Sequence, residues 1–335
     1  MKPRVLFILK RHEGSGGPLH SSSGLRNSAT FVCDMLNDRG IATARTVIVT
    51  DANDIDREVA AFKPDTAVLE AIWCPPAKLA EVQKLHPKVE WTVRIHSEVP
   101  FLAIEGMALT WLHKYTKIPK VEVSANSFRA ARDLYYLTPV FLPNYYPLSE
   151  REAPDLSIHP LRIGCFGAIR PMKNQLAQAF AAVNFAKQVH ARRLEFHVNA
   201  SRTEQGGENI LKNLRAFFDA QVGGYDLVED EWGTHEEFLE LVRSMNVCMT
   251  VSFSETFCIV AADAAGQMVP LVTSAEVPWS DRAIQALPNE IPDMVAKLTT
   301  ALGVRKRHIL KSNFIGIRKY NEGSVLRWTH FVEPR

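Results

Sequence analysis

The sequence predicts an α/β protein with two Rossmann-like domains, each built on a doubly wound parallel sheet. Three observations lead to this prediction. The length of 335 residues is about twice the roughly 150 residues of an average domain. Short apolar runs alternate with helical patterns in both halves of the chain. Residues 139–160 carry five prolines without sustained periodicity, which is typical of an interdomain linker.

The first half opens with an apolar run at Val5–Leu9, a loop that contains GSGG at 14–17, and a helical pattern that ends at Gly40. A buried strand, a glycine-rich loop and a helix form the opening unit of a doubly wound sheet. Further strands are predicted, with helices between them, at 43–50, 66–73, 91–97 and 121–126. Because these strands are largely apolar, we expect a parallel sheet covered on both faces.

The second half repeats this organisation after the linker. A strand at 161–169 runs into a turn and then into an amphipathic helix at 174–191. Further strands are predicted at 194–200, 246–252 and 269–274, and helices at 238–245 and 259–266. We therefore expect a first domain over 1–150 and a second over 151–315. Ligands of such sheets bind at the carboxyl ends of the strands.

The net charge conceals an asymmetry. Lys and Arg number 39 and Asp and Glu 37, a balance of +2 that argues against a histone-like protein. The last 33 residues nevertheless hold eight basic and two acidic side chains, +6, which leaves −4 for the rest of the chain. This basic tail would contact a polyanion, or it would be the solvated face of a terminal helix. The two alternatives remain open at this point.

The five cysteines are scattered and never stand in CxxC spacing, which argues against a disulfide framework and a zinc site. The histidines do not cluster with Cys or Asp at ligand spacing, so no metal site is expected. The first apolar run is too short for a signal peptide, and no apolar stretch approaches the ~20 residues of a membrane span. We expect a cytoplasmic protein without a membrane span.

The first candidate site is GCFGAIRPMKNQ at 164–175, in which the Gly167 turn is followed by Arg170, Lys173 and a helix. A diphosphate requires cations and backbone N–H donors, and a helix N-terminus with nearby Arg and Lys supplies both. The alternative is an ordinary helix start with solvated basic residues.

The second candidate site is SFSETFCIVAADAAGQMVPLVTS at 252–274. Glu255 stands at a strand end, and Asp263 follows eight residues later in an apolar stretch, where a carboxylate is costly unless it has a partner. Two such carboxylates would accept hydrogen bonds from sugar or ribose hydroxyls. In the alternative interpretation Glu255 caps a helix and Asp263 lies on its solvated face.

The third candidate site lies in the first half, where GSGG follows the first strand and His96 follows the strand at 91–97. A histidine at the carboxyl end of a strand is placed to hydrogen-bond a ligand, although a single histidine is commonly structural. GSGG is not a full GxGxxG, and there is no GxxxxGK[ST] or GxSxG. The absence of these motifs argues against binding of NAD or ATP and against a catalytic serine on a nucleophile elbow.

Taken in order, these motifs resemble the GT-B glycosyltransferases, especially the GT4-like retaining group. The resemblance rests on G-x-x-R-P-x-K-N at 167–174, on S-x-x-E-x-F-x5-D at 252–263, and on a PN turn within FLPNYYP at 141–147. It spans nearly the whole chain and is strongest over about 161–280. It implies two Rossmann-like domains that face a cleft, with 316–335 as a helix that returns to the first domain through Trp328 and Phe331.

The resemblance implies a retaining transfer of sugar from a nucleotide-diphosphate sugar to an acceptor hydroxyl, with no cofactor and no metal. Glu255 would hold the sugar hydroxyls and Asp263 the ribose hydroxyls. Arg170 and Lys173 would bind and stabilise the diphosphate. The remaining implied contacts are His96 at the sugar, the amides near Thr256 and Phe257 at the phosphates, and Gly16, Gly17 and Gly167 where backbone approaches the donor.

Four positions depart from the pattern of that group. Asp263 replaces the usual Glu, Ala168 stands where many members have Arg, and Cys258 and Met268 occupy common Gly positions. These departures leave two alternatives open, a non-catalytic protein that binds nucleotides or glycans and a nucleotide-sugar epimerase.

The acceptor also stays open. Segments such as NDIDREV, at 53–59, resemble GT4-like proteins of bacteriophage genomes, which makes a hydroxymethylated base in DNA one candidate beside a glycan and a small metabolite. The donor base, the sugar and the oligomeric state are not predicted.

Overall fold

The computed structural model describes residues 2–11, 23–157 and 159–333. The chain forms two compact units: Met1–Pro147 with Tyr320–Arg335, and Leu148–Lys319. From the sequence, the first domain was expected to end at residue 150 and the second at residue 315; in the structure the corresponding limits are residues 147 and 319. Both units are α/β, with parallel sheets of six and five strands, and the predicted fold class is confirmed.

The described residues of the first unit form a six-stranded sheet with helices around it. The strands are β1 (Arg4–Lys10), β2 (Thr43–Val49), β3 (Thr66–Glu70), β4 (Glu90–Ile95), β5 (Val121–Ala125) and β6 (Val140–Phe141). The helices are α1 (Ser23–Asp38), α2 (Asp54–Phe62), α3 (Pro76–Leu85), α4 (Val99–Leu102), α5 (Ala108–Tyr115) and α6 (Phe128–Asp133). The strands pair in the order β2-β1-β3-β4-β5-β6, and every pair is parallel.

The centre of this sheet is buried on both faces. Leu6 and Ile8 of β1 pack into one apolar cluster, and Val5, Phe7 and Leu9 pack into another. Successive side chains of a strand point to opposite faces, so a continuous apolar run fills a core on each side. This geometry explains why β1 is apolar throughout rather than alternating.

The described residues of the second unit form five strands. They are β7 (Leu161–Gly164), β8 (Leu194–Asn199), β9 (Tyr225–Asp230), β10 (Val247–Thr250) and β11 (Leu271–Thr273), in the parallel order β11-β10-β7-β8-β9. Its helices are α7 (Gln175–Gln188), α8 (Gly207–Asp219), α9 (His235–Arg243), α10 (Ile259–Gly266) and α11 (Ile291–Leu302). A final helix, α12 (Lys306–Val332), crosses the division between the units at residue 320.

Strand β9 was not predicted from the sequence. It is the edge strand of its sheet, and among the residues that the structure describes it pairs with β8 alone. None of its residues is fully buried, because an edge strand is covered less than a central one. The sequence YDLVED therefore lacks the apolar run by which the other strands were recognised.

The expected linker begins later than predicted. Val140 and Phe141 form β6, and the Pro143–Asn144 turn that follows is hydrogen-bonded to α12: Trp328 Nε1 donates to the Pro143 carbonyl at 2.8 Å, and Ser324 Oγ to the Asn144 carbonyl at 2.6 Å. The indole of Trp328 is fully buried and lies 5.6 Å from the Phe7 ring. The residues before 148 therefore belong to the first unit.

Candidate functional site

The sheet of the second unit has one topological switch point, between β7 and β10. From β7 the chain proceeds outward to β8 and β9, and then returns to the other side of β7 to form β10 and β11. Loops that follow two such strands diverge and leave a crevice at their carboxyl ends, where open α/β sheets bind ligands. The loop after β7 contains Arg170 and Lys173, and the loop after β10 contains Glu255.

The loop after β7 requires an unusual backbone at Gly167. Its φ is +102°, a conformation that glycine adopts without the steric cost of a side chain. The Gly167 N–H donates to Asn199 Oδ1, at the end of β8, at 2.9 Å. This hydrogen bond holds the turn against the neighbouring strand. The amide of Gly167 is thus already used within the protein.

Four hydrogen bonds fix the two loops to each other. The Phe253 N–H donates to the Met172 carbonyl at 2.9 Å. Gln178 bridges the loops, because its Nε2 donates to the Lys173 carbonyl and its Oε1 accepts from the Val251 N–H, both at 2.8 Å. Asn174 Nδ2 donates to the Val251 carbonyl at 3.2 Å. These bonds position the side chains of the loops.

Lys173 and Glu255 meet at the switch point. The Lys173 ammonium donates to Glu255 Oε1, and Ser252 Oγ donates to the same oxygen at 2.8 Å. The side chains are only 14% and 8% exposed. Burial by itself would raise the pKa of Glu255, but the charge and hydrogen bond of Lys173, the charge of Arg170 and the Ser252 hydroxyl lower it below its ordinary value. Glu255 is therefore a carboxylate at neutral pH.

Arg170 lies close enough for its charge to stabilise the Glu255 carboxylate. Its Nη1 donates to Glu204 Oε2 at 3.2 Å, and Arg202 Nε donates to the other oxygen of Glu204 at 2.8 Å. The structure thus brings together Arg170, Lys173 and Glu255, three of the residues singled out from the sequence, and couples each cation to a carboxylate.

Asp263 lies in α10, which begins at Ile259 as predicted. Its side chain is 2% exposed and accepts a hydrogen bond of 2.8 Å from His235 Nε2, at the start of α9. Burial by itself would lower the pKa of His235, but the hydrogen bond and charge of Asp263 raise it above the ordinary value. His235 was not predicted. The available signal was the capping box that begins at Thr234, which marks a helix N-terminus.

Thr256 and Phe257 precede α10. Phe257 is fully buried, and its carbonyl accepts from Trp279 Nε1 at 2.9 Å. The two positions at which the sequence departs from glycine, Cys258 and Met268, have φ of 63° and 57°. Both keep the left-handed backbone that favours glycine although another residue occupies them. The turns therefore persist despite the substitutions.

Cys258 borders the Lys173–Glu255 pair. Burial, together with the nearby charge of Glu255, raises the pKa of its thiol to about 12. The thiolate is the reactive form of cysteine, and at neutral pH the Cys258 side chain is the protonated thiol.

His96 belongs to the first unit, where it follows β4. Its Nε2 contacts Glu70 Oε2, and Asn126 Nδ2 lies 3.0 Å from Nδ1. Since an amide nitrogen only donates, Nδ1 accepts and Nε2 carries the proton donated to Glu70. Burial, opposed in part by Glu70, lowers the pKa of His96. The imidazole is therefore neutral at pH 7, with both nitrogens used by the protein.

Glu70 and Arg94 form a buried ion pair that the sequence did not reveal. Both are fully buried, and Arg94 Nη1 lies 3.1 and 3.2 Å from the two Glu70 oxygens. Arg94 Nε donates to the Leu142 carbonyl at 2.9 Å, and Nη2 to Asn144 Oδ1 at 2.6 Å. Together these hydrogen bonds join β3, β4 and the Pro143–Asn144 turn. They order the ends of these strands around His96.

Gly16 and Gly17 lie outside the described residues. Within the part of the chain that the structure describes, no group of three His, Cys, Asp or Glu side chains is arranged to hold a metal ion. No helix among those same residues has both the length and the apolar character needed to cross a bilayer.

Comparison with known proteins identifies the fold. No family model matches the chain, and no curated protein matches it. Among solved structures, the chain is similar to the N-terminal domain of Candida albicans trehalose-6-phosphate phosphatase, with a TM-score of 0.70, 8% identity, and coverage of 100% of this chain and 98% of that one. It is similarly matched to a UDP-forming alpha,alpha-trehalose-phosphate synthase from Burkholderia vietnamiensis, with a TM-score of 0.69, 12% identity, and 99% and 97% coverage.

A third similar structure is a mutant of S. aureus TarM in complex with fondaparinux, alpha-GlcNAc-glycerol and UDP. Its TM-score is 0.58 at 12% identity, over 80% of this chain and 55% of that one. These matches establish that the chain has the two-domain α/β fold of the GT-B class. At these identities the likeness defines the fold, and the activity is argued from the site.

Proposed function

We propose that this protein transfers a glycosyl group from a nucleoside-diphosphate sugar to an acceptor hydroxyl. The observation that carries the proposal is the buried Lys173–Glu255 pair at the switch point of the second sheet. It places an ionised acceptor of hydrogen bonds beside a cation at the edge where such sheets bind ligands. A sugar rich in hydroxyls, joined to a diphosphate, requires both groups.

In this proposal Glu255 binds the sugar. Its lowered pKa keeps the carboxylate ionised, and an ionised carboxylate accepts short, strong hydrogen bonds from hydroxyl groups. Ser252 and Lys173 both donate to Oε1, so Oε1 is held in place. The orientation of the carboxylate is set before the sugar arrives, which lowers the ordering cost of binding.

Lys173 and Arg170 act on the diphosphate. In the transfer, the bond between the anomeric carbon and the diphosphate oxygen breaks and the acceptor oxygen bonds to that carbon. The departing phosphate oxygen takes the acceptor proton, so no protein nucleophile is needed and the configuration is retained. Negative charge grows on the diphosphate, and fixed cations in a dry site stabilise it. The proposal accordingly assigns no step to a metal ion or a cofactor.

The comparisons support the donor class. The Burkholderia vietnamiensis enzyme is UDP-forming, and the TarM structure contains UDP; both share this fold. Within the GT-B class, we place the chain in the GT4-like group on the motifs at 167–174 and 252–263.

The acceptor is assigned by chemical class, as a hydroxyl of a glycan or of a hydroxymethylated base in DNA. The basic residues of the tail include Arg307, Lys311, Arg318, Lys319 and Arg327, all of which are exposed on α12. A DNA acceptor would bring phosphates to such cations, and its binding would weaken steeply with salt. A neutral glycan would give a flat salt response.

The direct test is release of nucleoside diphosphate from a panel of UDP-, GDP- and ADP-sugars, with and without hydroxymethylated duplex DNA and oligosaccharides. We expect acceptor-dependent release from one donor class, and a product whose anomeric configuration matches the donor by NMR. Glu255→Gln and Lys173→Ala should each lower turnover by about a hundredfold or more, whereas the exposed controls Glu240→Gln and Lys212→Ala should not.

Other outcomes would overturn this assignment. Binding without turnover of any donor would make the protein a nucleotide-binding scaffold, and conversion of the sugar without an acceptor would make it an epimerase. Wild-type rates in both site variants would remove Lys173 and Glu255 from the site.

A further inference from the structure

His235 and Asp263 form a further ion pair of the second unit, separate from Lys173 and Glu255. Asp263 is surrounded in α10 by the small and apolar residues of IVAADAAG, where an uncompensated carboxylate is costly. Its Oδ1 is bonded to His235 Nε2 at 2.8 Å. This contact joins residues 28 positions apart, on two different helices.

His235 lies at the ligand-binding edge of the second sheet. Helix α9 connects β9 to β10, which are parallel to each other, so it runs back along the sheet and its first residue stands at the carboxyl ends of the strands. The loop after β7 packs against the same helix: the rings of Phe166 and Phe238 meet edge to face at 5.3 Å, and Phe238 lies one turn after His235. His235 is thus on the edge that carries Lys173 and Glu255.

Exposure differs sharply within the pair. The side chain of Asp263 is 2% exposed and that of His235 is 30% exposed. A ribose diol can donate to a carboxylate only if the carboxylate is accessible. At this point of the edge, the polar group that a ligand reaches is the imidazole, with the carboxylate behind it.

The surroundings favour a charged imidazole. On its own helix His235 is followed by Glu236 and Glu237, both exposed, and Glu237 is bonded to Thr234. From α10 it faces Asp263; behind Asp263, in β10, burial raises the pKa of the Cys248 thiol above its usual range, so Cys248 is neutral. Glu231, in the loop before α9, is exposed. The hydrogen bond and charge of Asp263 raise the pKa of His235, which stabilises the protonated form of its imidazole.

We propose that His235 is a donor-binding residue whose protonated imidazole donates a hydrogen bond to an oxygen of the bound nucleoside diphosphate, and that Asp263 is a positioning residue that acts through His235. This inference rests on the proposed function and refines it, because Asp263 no longer contacts the ribose itself. Arg170, Lys173 and His235 are each paired with a carboxylate, and of the three only the imidazole changes its charge near neutral pH.

The test is calorimetric binding of UDP, GDP, ADP and CDP at pH 6, 7 and 8 to the full chain. For the diphosphate that binds the wild type, His235→Gln should weaken binding at pH 6 by about tenfold or more. Affinity should fall as pH rises through the raised pKa of His235, relative to the His235→Gln variant. Asp263→Asn should move this pH dependence to lower pH. Glu240→Gln is the control. Ionisation of the diphosphate itself affects binding to the wild type and to every variant equally, so the difference between the proteins reports on His235.

A measurement on the wild type covers the case in which a variant fails to fold. With isotope-labelled histidine, NMR should show the pKa of His235 rising when the diphosphate binds. Binding by the wild type with no change in that pKa, or with His235→Gln equal to the control at every pH, would overturn this inference and leave the proposed function standing. Failure of the wild type to bind all four diphosphates would overturn both.

Discussion

The ammonium of Lys173 donates to the carboxylate of Glu255, although 82 residues separate them in the chain. Breaking a buried pair by removing one partner costs about 3 kcal/mol or more, because the other charge stays buried alone. We therefore expect Lys173→Met to lower the free energy of unfolding by about 3 kcal/mol in urea titrations. The double variant Lys173→Met, Glu255→Gln should recover more than half of that loss. Simple addition of the two single costs would show that the groups are not coupled.

Glu255 should also contribute to acid sensitivity. Its pKa in the folded protein lies below the ordinary value of 4.5, so its stabilisation is complete above pH 4.5 and is lost as pH falls through the lowered folded value. Unfolding free energies from pH 7 to pH 3 should decline more steeply for the wild type than for Glu255→Gln, by at most about 1.4 kcal/mol per pH unit. Parallel curves would contradict the lowered pKa.

The lowered pKa of His96 predicts a second pH dependence of the free energy of unfolding, at higher pH than that of Glu255. Because its folded pKa lies below the ordinary value of 6.5, the unfolded chain binds a proton first, and stability falls as pH drops from 6.5 towards the folded pKa. His96→Gln should remove this part of the slope. NMR titration of the imidazole gives an independent check, and a His96 pKa above 6.5 would be inconsistent with a neutral ring held between Glu70 and Asn126.

Met268 should be replaceable with a gain in stability. Its φ of 57° places a non-glycine residue in the left-handed region, at a cost of about 1 kcal/mol or more. Met268→Gly should raise the melting temperature, with a gain of about 1 kcal/mol in the free energy of unfolding. Met268→Ala keeps the strain and removes the thioether, so it serves as the control. A gain in both variants would assign the effect to the side chain rather than to the backbone.

Trp328 should be among the most sensitive positions of the first unit. It is fully buried against Phe7 and donates to the Pro143 carbonyl at 2.8 Å. Trp328→Ala should cost about 3–5 kcal/mol through the cavity it leaves, and Trp328→Phe less, because the ring contact is largely kept. Leu326→Ala, at a residue 72% exposed on the same helix, should change stability little. Near-equal unfolding curves for Trp328→Ala and Leu326→Ala would contradict the role of Trp328 as an anchor.

The sequence by itself determined the fold class and most of the elements. The run Val5–Leu9 is apolar at every position because a central parallel strand is buried on both faces, and this signal is local. The same holds for α10, which occupies 259–266 as predicted. The segment 164–175 likewise marked the end of a strand, a turn and the start of a helix. Patterns of this kind survive in a single sequence because each depends on neighbouring residues only.

Tertiary structure alone decided which residues meet. Lys173 reaches Glu255 because β10 returns beside β7 after two strands on the other side, an order that no local pattern encodes. Asp263 lies behind His235 because α9 and α10 pack side by side, and β9 was missed because an edge strand buries too little surface to need an apolar run. Local periodicity reports burial, whereas contacts between distant segments follow from strand order and helix packing.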